Sequence, residues 1–191
     1  MSLKDLFFTE EWTLFLDRDG VINERIPGGY VTSWDQFKFL EGVPEALKIL
    51  AAVFGRVIIV SNQQGIGKGL MRVEELKEVD RRMREAVIHA GGWIDASYYA
   101  PYLEEEAHPD RKPGTGMGEK AKSDFPEIDF SKSVMVGDSE TDMKFGKNLG
   151  MLTVFVGESE SKEIPEADYL YPSLFDFAKN IIQHSTLNIK H

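Results

Sequence analysis

Asp17 and Asp19 stand two residues apart at the end of the apolar run Leu14-Phe15-Leu16, and Gly20 follows them directly. Alternation along an extended chain turns both carboxylates to one side, and glycine lets the backbone bend sharply just beyond. Two acids so placed can share a hard metal ion. The same residues also suit an Asp-rich turn, because Asp and Gly form turns for local hydrogen-bonding reasons. By itself the pair does not separate these readings.

Three further segments carry candidate chemistry. Val57-Ile58-Ile59-Val60 runs into Ser61-Asn62-Gln63 and then Gly65, Gly67 and Gly69, a hydroxyl, an amide and free backbone N–H groups that suit a phosphate oxygen. Arg111-Lys112-Pro113-Gly114 offers a point charge in Lys112 and a planar fork in Arg111, both suited to phosphate. Val134-Met135-Val136 runs into Gly137-Asp138-Ser139-Glu140-Thr141-Asp142, with Asp138 where strand becomes helix and Asp142 four residues on along the same helical face. Singly, these segments also read as turn chemistry, a basic surface turn and a helix cap. Their meaning comes from standing at the ends of successive strands.

The elements that would position them follow from hydrophobic period and punctuation. Strands are predicted at 13–16, 57–60, 96–100, 134–136, 152–156 and, weakly, 169–171. Helices are predicted at 44–54, from Val73 to the stop at Gly91-Gly92, and at 116–124, 139–149 and 173–183. Such alternation predicts an α/β fold, a Rossmann-like three-layer α/β/α sandwich with a mostly parallel central sheet, whose sites lie at the carboxyl ends of strands. A single domain is expected over 1–191, with a lead-in at 1–12, a frayed tail at 185–191 and no large cap domain. Residues 23–41 lack a firm helix or strand and are expected to form a small flap over the site. Trp34, Phe37 and Phe39 would anchor it, and Glu104-Glu105-Glu106 reads as a solvated loop.

Composition excludes several classes of function. Net charge is −10, with no basic stripe, so nucleic acid and anionic membranes are poor partners. The absence of cysteine removes disulfides, thiolate nucleophiles and Cys-based zinc sites together. No apolar run approaches the roughly 20 residues that span a bilayer, and a cytoplasmic location is expected. A hydrophobic content of 42% and an aromatic content of 11% suit a packed core.

Two acids, a hydroxyl, a lysine and a further acidic pair at successive strand ends resemble the haloacid dehalogenase (HAD) superfamily of phosphotransferases, over roughly residues 14–157. That resemblance implies that Asp17 is a nucleophile forming an aspartyl phosphate and that Asp19 is general acid and then base. It implies one Mg²⁺ held by Asp17, Asp138 and the Asp19 backbone carbonyl, with Asp142 orienting its waters. Ser61 and Lys112 would hold the phosphoryl oxygens, with Asn62 and Arg111 as neighbours reaching the substrate.

Within the superfamily, Asp17-Arg18-Asp19-Gly20-Val21-Ile22-Asn23, Gly29-Tyr30-Val31, Phe37-Lys38-Phe39 and Arg111-Lys112-Pro113 resemble the heptose bisphosphate and histidinol phosphate phosphatases, with Gly-Tyr-Val favouring the heptose branch. Three positions depart from that pattern. The Cys and His zinc loop common in the group is missing, His108 being the lone histidine of the matching region, so no zinc is expected. Ser139 stands where a basic residue is frequent, and Gln64 where the heptose branch usually has Ser. The expected substrate is a small soluble phosphate ester, and the expected assembly a monomer or small homo-oligomer. From another class, a phospho-accepting signalling or binding module also uses an acidic strand end, but Asp19 supplies a base for hydrolysis that such a module lacks.

Overall fold

The apolar runs become six strands of a single parallel sheet in a computed structural model that describes residues 8–158 and 164–187. Residues 1–7 of the expected lead-in and 188–191 of the expected tail lie outside the described residues. The strands are β1 Thr13–Leu16, β2 Arg56–Asn62, β3 Ala96–Ala100, β4 Ser133–Gly137, β5 Leu152–Val156 and β6 Tyr169–Tyr171, in the order β3-β2-β1-β4-β5-β6. The helices are α1 Val43–Ala51, α2 Gln64–Gly67, α3 Val73–His89, α4 Gly116–Asp124, α5 Glu140–Leu149 and α6 Leu174–Leu187.

Strand alternation divides the interior into two layers. Leu14, Leu16, Val57, Ile59, Val134 and Val136 face α1, α3 and α6 through Leu47, Leu50, Val79, Met83 and Phe177. Phe15, Ile58, Val60 and Met135 face α4 and α5 through Met117, Ala121 and Phe145. Because both faces are covered, the central strands read as unbroken apolar runs rather than alternating ones. Burying each of these large side chains contributes roughly 1.5–3 kcal/mol.

β1 is the pivot of the sheet. It pairs with β2 on one side and β4 on the other, with Leu16 opposite both Ile59 and Val136. Chain order reverses at this strand, and the crevice beyond the carboxyl ends at such a reversal is where open α/β sheets bind ligands. Among the described residues, no helix is long and apolar enough to cross a membrane.

Several local features differ from the sequence expectation. The Gly-rich segment after β2 closes into the short helix α2, and Glu104–Glu106 forms an exposed 3-10 turn. α1 ends at Ala51, before the expected stop, because Phe54 turns back into the core and is 2% exposed.

Candidate active site

Asp17 extends the β1–β4 pairing one step beyond the strand, its N–H donating to the Val136 carbonyl at 3.0 Å. The chain then leaves the extended conformation. Gly20 adopts φ +95°, and a Cβ there would collide with the Asp138 carboxylate. Ile22 and Asn23 donate back to the Arg18 carbonyl at 2.8 and 3.1 Å, and Gly20 donates to the Asn23 carbonyl at 2.7 Å. This tight loop turns the two acids of the motif towards different partners.

Arg18 is fully buried, with its guanidinium over the Tyr99 ring, 5.9 Å from the centroid. Its Nη2 donates to Asp19 Oδ2 at 2.9 Å and to Gln63 Oε1 at 3.2 Å. Asp19 also accepts from Asn23 Nδ2 at 2.9 Å and from Gln63 Nε2 at 2.7 Å. Burial pushes the Asp19 carboxyl up, but the Arg18 charge and these hydrogen bonds outweigh it and hold the group below the usual carboxylate range.

Asp17 meets other acids instead. Ligand oxygens of Asp17, Asp138 and Asp142 all lie within 4.8 Å of one another, and the Asp19 side chain is not in this group. The two-residue alternation expected of Asp17 and Asp19 fails because the strand ends at Leu16. The carboxylates that converge on Asp17 come from the end of β4 and the first turn of α5.

Lys112 counters part of this charge. It is 3% exposed, its Nζ donates to the Val60 carbonyl at 2.7 Å, and it lies 3.0 Å from Asp17 Oδ1 and 2.5 Å from Asp142 Oδ1. Burial opposes the lysine's charge, yet Asp142 and Asp17 together raise its pKa above the ordinary value. Asp17 is raised by burial and by the Asp142 and Asp19 charges, against the pull of Lys112. Burial and the Asp17 charge push Asp138 up to about 7, with Arg25 pulling the other way.

The β2 end braces this centre. Ser61 is 1% exposed and accepts from Gln63 Nε2 at 3.1 Å. Both polar atoms of Asn62 are engaged with the Lys112 backbone, Oδ1 accepting from its N–H at 2.9 Å and Nδ2 donating to its carbonyl at 3.1 Å. Arg111 lines the cavity, one of its terminal nitrogens 3.4 Å from the Tyr102 carbonyl. On Asp142, Oδ2 accepts from Ser139 N at 3.1 Å and Ser139 Oγ at 2.6 Å, which leaves Oδ1 facing Asp17 and Lys112.

These groups form the floor of a cavity of about 630 Å³, within the range of small-molecule sites. Its lining brings together Asp17, Asp19, Ser61, Asn62, Arg111, Lys112 and Asp142, and one wall is the segment 25–31. Trp34 stacks on Phe37 at 5.0 Å and Phe37 meets Phe39 edge-on at 5.0 Å, with Phe37 buried beneath. Tyr30 reaches across to Lys68, whose Nζ donates to the phenol oxygen at 2.9 Å. On the far side His108 stacks on Tyr102 at 3.4 Å and accepts from Asp110 N–H.

Two residues that sequence reasoning left without a role are central here. Gln63 links Asp19 to Ser61. Arg25 donates from Nε to the Asp19 carbonyl at 2.8 Å and from Nη2 to Asp138 Oδ1 at 2.7 Å. No periodicity or motif marks Arg25, which lies in the unpatterned loop after the Asp17 segment.

The donor set suits a hard cation. It is all oxygen, and the buried Asp17 Oδ1 and Asp142 Oδ1 accept no aligned hydrogen bond among the described residues. Lys112 uses one of its three N–H groups on the Val60 carbonyl and lies 3.0 and 2.5 Å from these two oxygens, one contact to each. Such oxygens retain lone pairs for Mg²⁺, which takes one or two carboxylates and keeps several waters.

A parallel sheet with an acid at the pivot strand, a buried lysine and an acidic helix start is the architecture of a HAD-like hydrolase, and a family model described as HAD-hydrolase-like matches residues 110–177. The chain is 34% identical over 173 residues to the D-glycero-alpha-D-manno-heptose-1,7-bisphosphate 7-phosphatase of Mycobacterium tuberculosis, covering 88% of this chain and 90% of that one. It is 31% identical to the D-glycero-D-manno-heptose-1,7-bisphosphate 7-phosphatase of Chlorobaculum tepidum, covering 83% and 85%. Among solved structures, D,D-heptose 1,7-bisphosphate phosphatase from B. bronchiseptica, complexed with magnesium and phosphate, superposes with a TM-score of 0.81 at 26% identity, covering 90% of this chain and 98% of that one. The chain belongs to the HAD-like phosphatase family that contains these heptose bisphosphate phosphatases.

Proposed function

We propose that this protein is a cytoplasmic, Mg²⁺-dependent phosphatase that removes phosphate from a small sugar phosphate, D-glycero-D-manno-heptose 1,7-bisphosphate before others, through an aspartyl phosphate on Asp17. One observation carries the mechanism: the Asp17 carboxylate lies on the cavity floor, 3.0 Å from a buried lysine and within a cluster of three carboxylates. The substrate assignment is supported by the names of the relatives and by the cavity's size.

A carboxylate oxygen of Asp17 attacks phosphorus, and the ester P–O bond breaks. Asp19 gives a proton to the departing alkoxide. As a carboxylate, Asp19 then takes a proton from the water that attacks the aspartyl phosphate, releasing phosphate and restoring Asp17. Asp19 at rest is ionised beside Arg18. To act as the acid it moves away from that guanidinium, the main charge holding its pKa low, takes up a proton from solvent and passes that proton to the alkoxide.

Lys112 and Ser61 hold the phosphoryl oxygens, Asn62 fixes the Lys112 backbone, and Arg111 reaches the substrate from the cavity wall. Phosphoryl transfer has a loose transition state, so placement and charge neutralisation are most of the catalysis. Asp17, Asp138 and the Asp19 carbonyl would hold Mg²⁺, with Asp142 beside them, and the ion would supply positive charge to the transferring phosphoryl group.

The test is phosphate release from heptose 1,7-bisphosphate, histidinol phosphate, other sugar phosphates and nucleotides, with Mg²⁺ or with EDTA. Strong Mg²⁺-dependent preference for the heptose ester is expected. Equal weak turnover across the panel, or a preference for histidinol phosphate, would overturn the substrate assignment.

A further inference from the structure

Arg25 donates to the Asp19 carbonyl and to Asp138 Oδ1, and the mechanism above assigns that carbonyl and the Asp138 carboxylate to the cation. A guanidinium seated on these groups places a positive charge against the position a divalent ion would take, so the two repel and compete. Arg25 is able to yield, because its side chain is 53% exposed and arises from the wall segment rather than from the sheet.

Its destination follows from the charges around the cavity. The cationic residues lining it are Arg25, Arg111 and Lys112. Lys112 is committed to Asp17 and Asp142 on the floor, and Arg111 approaches from the loop after β3. Beside Asp138 the lining residue is the uncharged Ser139. A second anionic group entering on that side, away from the reacting phosphate, therefore finds its cation in Arg25, whose planar fork suits phosphate oxygens.

We propose that Arg25 is a specificity-determining residue that exchanges partners. It neutralises Asp138 and the Asp19 carbonyl until a divalent cation takes those oxygens, and then binds the second phosphate of a bisphosphate substrate at the cavity mouth. The inference rests on the functional reading above and extends it to the end of the substrate that does not react.

The experiment has two arms on the full chain, using wild type, Arg25→Gln and Arg25→Lys. In the first, without substrate, Mn²⁺ binding is followed by the electron paramagnetic resonance of the free ion. Arg25→Gln removes the competitor and is expected to bind Mn²⁺ about tenfold tighter. Unchanged or weaker binding overturns the exchange. Absence of Mn²⁺ binding by wild type overturns this inference together with the metal reading beneath it, which separates the two failures.

In the second arm, at saturating Mg²⁺, the KM of heptose 1,7-bisphosphate is compared with that of heptose 7-phosphate. Arg25→Gln is expected to raise the bisphosphate-to-monophosphate KM ratio about tenfold, and Arg25→Lys, which keeps the charge, to recover part of that loss. A ratio equal to wild type in Arg25→Gln overturns the assignment of the second phosphate, as does a loss of kcat shared by both esters without a KM change.

Discussion

Asn62 and Lys112 are joined by two hydrogen bonds of opposite sense, 2.9 Å from the lysine N–H to Asn62 Oδ1 and 3.1 Å from Asn62 Nδ2 to the lysine carbonyl. The side chain of the last residue of β2 thereby fixes the backbone from which the buried Lys112 ammonium projects. Asn62→Ala removes both bonds and leaves the Lys112 backbone groups to find other partners, at a cost of about 1–3 kcal/mol. It is expected to lower kcat by roughly ten- to a hundredfold, the scale of a small misplacement of a catalytic group. A chemical denaturation curve and steady-state kinetics check both, and an unchanged kcat would make Asn62 a spectator.

Asp17→Asn keeps the size of the side chain and removes the proposed nucleophile. Turnover is expected to fall by at least ~10³-fold, as when an attacking group is deleted, while the circular dichroism spectrum stays that of the folded sheet. Wild-type turnover in this variant would end the aspartyl phosphate mechanism.

Metal-free stability should depend on pH in a direction opposite to that of an ordinary salt-bridged acid. The folded pKa of Asp138 is raised from 3.8 to about 7, and Asp17 is raised as well. The native state therefore binds protons more tightly than the unfolded chain, and stability falls as pH rises between about 4 and 7. Asp19, shifted downward, contributes its change only at more acidic pH. In EDTA, Tm is expected to fall from pH 5 to pH 8, and added Mg²⁺ to raise Tm more at pH 8 than at pH 5. A flat profile, or the same Mg²⁺ effect at both values, would contradict the electrostatics of the acidic cluster.

Gly20→Ala tests the turn that separates Asp17 from Asp19. Its φ of +95° disfavours a side chain, and the added Cβ would collide with the Asp138 carboxylate and crowd Arg25. Destabilisation of more than ~1 kcal/mol is expected, together with weakened Mn²⁺ binding measured by titration. Wild-type affinity in a folded variant would show that Asp138 tolerates displacement.

Much of this architecture was legible in the amino-acid order because the relevant physics is local. Apolar runs such as Val57–Val60 mark strands buried on both faces, and Leu76, Val79, Met83 and Val87 mark the buried side of α3. The acids and the hydroxyl were legible for the same reason, since they follow their apolar runs, whereas Lys112 lies in the loop between β3 and α4. The limits were also local: Gly65 and Gly67 disguised α2, and the polar Ser61 and Asn62 concealed that β2 continues through them opposite Tyr99 and Ala100.

What depended on the tertiary structure was partnership. The amino-acid order places Asp17, Asp138 and Asp142 at strand or helix ends and Lys112 in the loop after β3, because hydrophobic period and punctuation act over a few residues. Pairing of β1 with β4 across more than a hundred residues decided that Asp138 and Asp142, rather than the Asp19 carboxylate, converge on Asp17. The tight loop at Gly20 decided that Asp19 turns to Arg18, Asn23 and Gln63. Arg25 had no local signature at all, since an exposed arginine in an unpatterned loop acquires a role only when the fold carries that loop over the acids whose charge it meets.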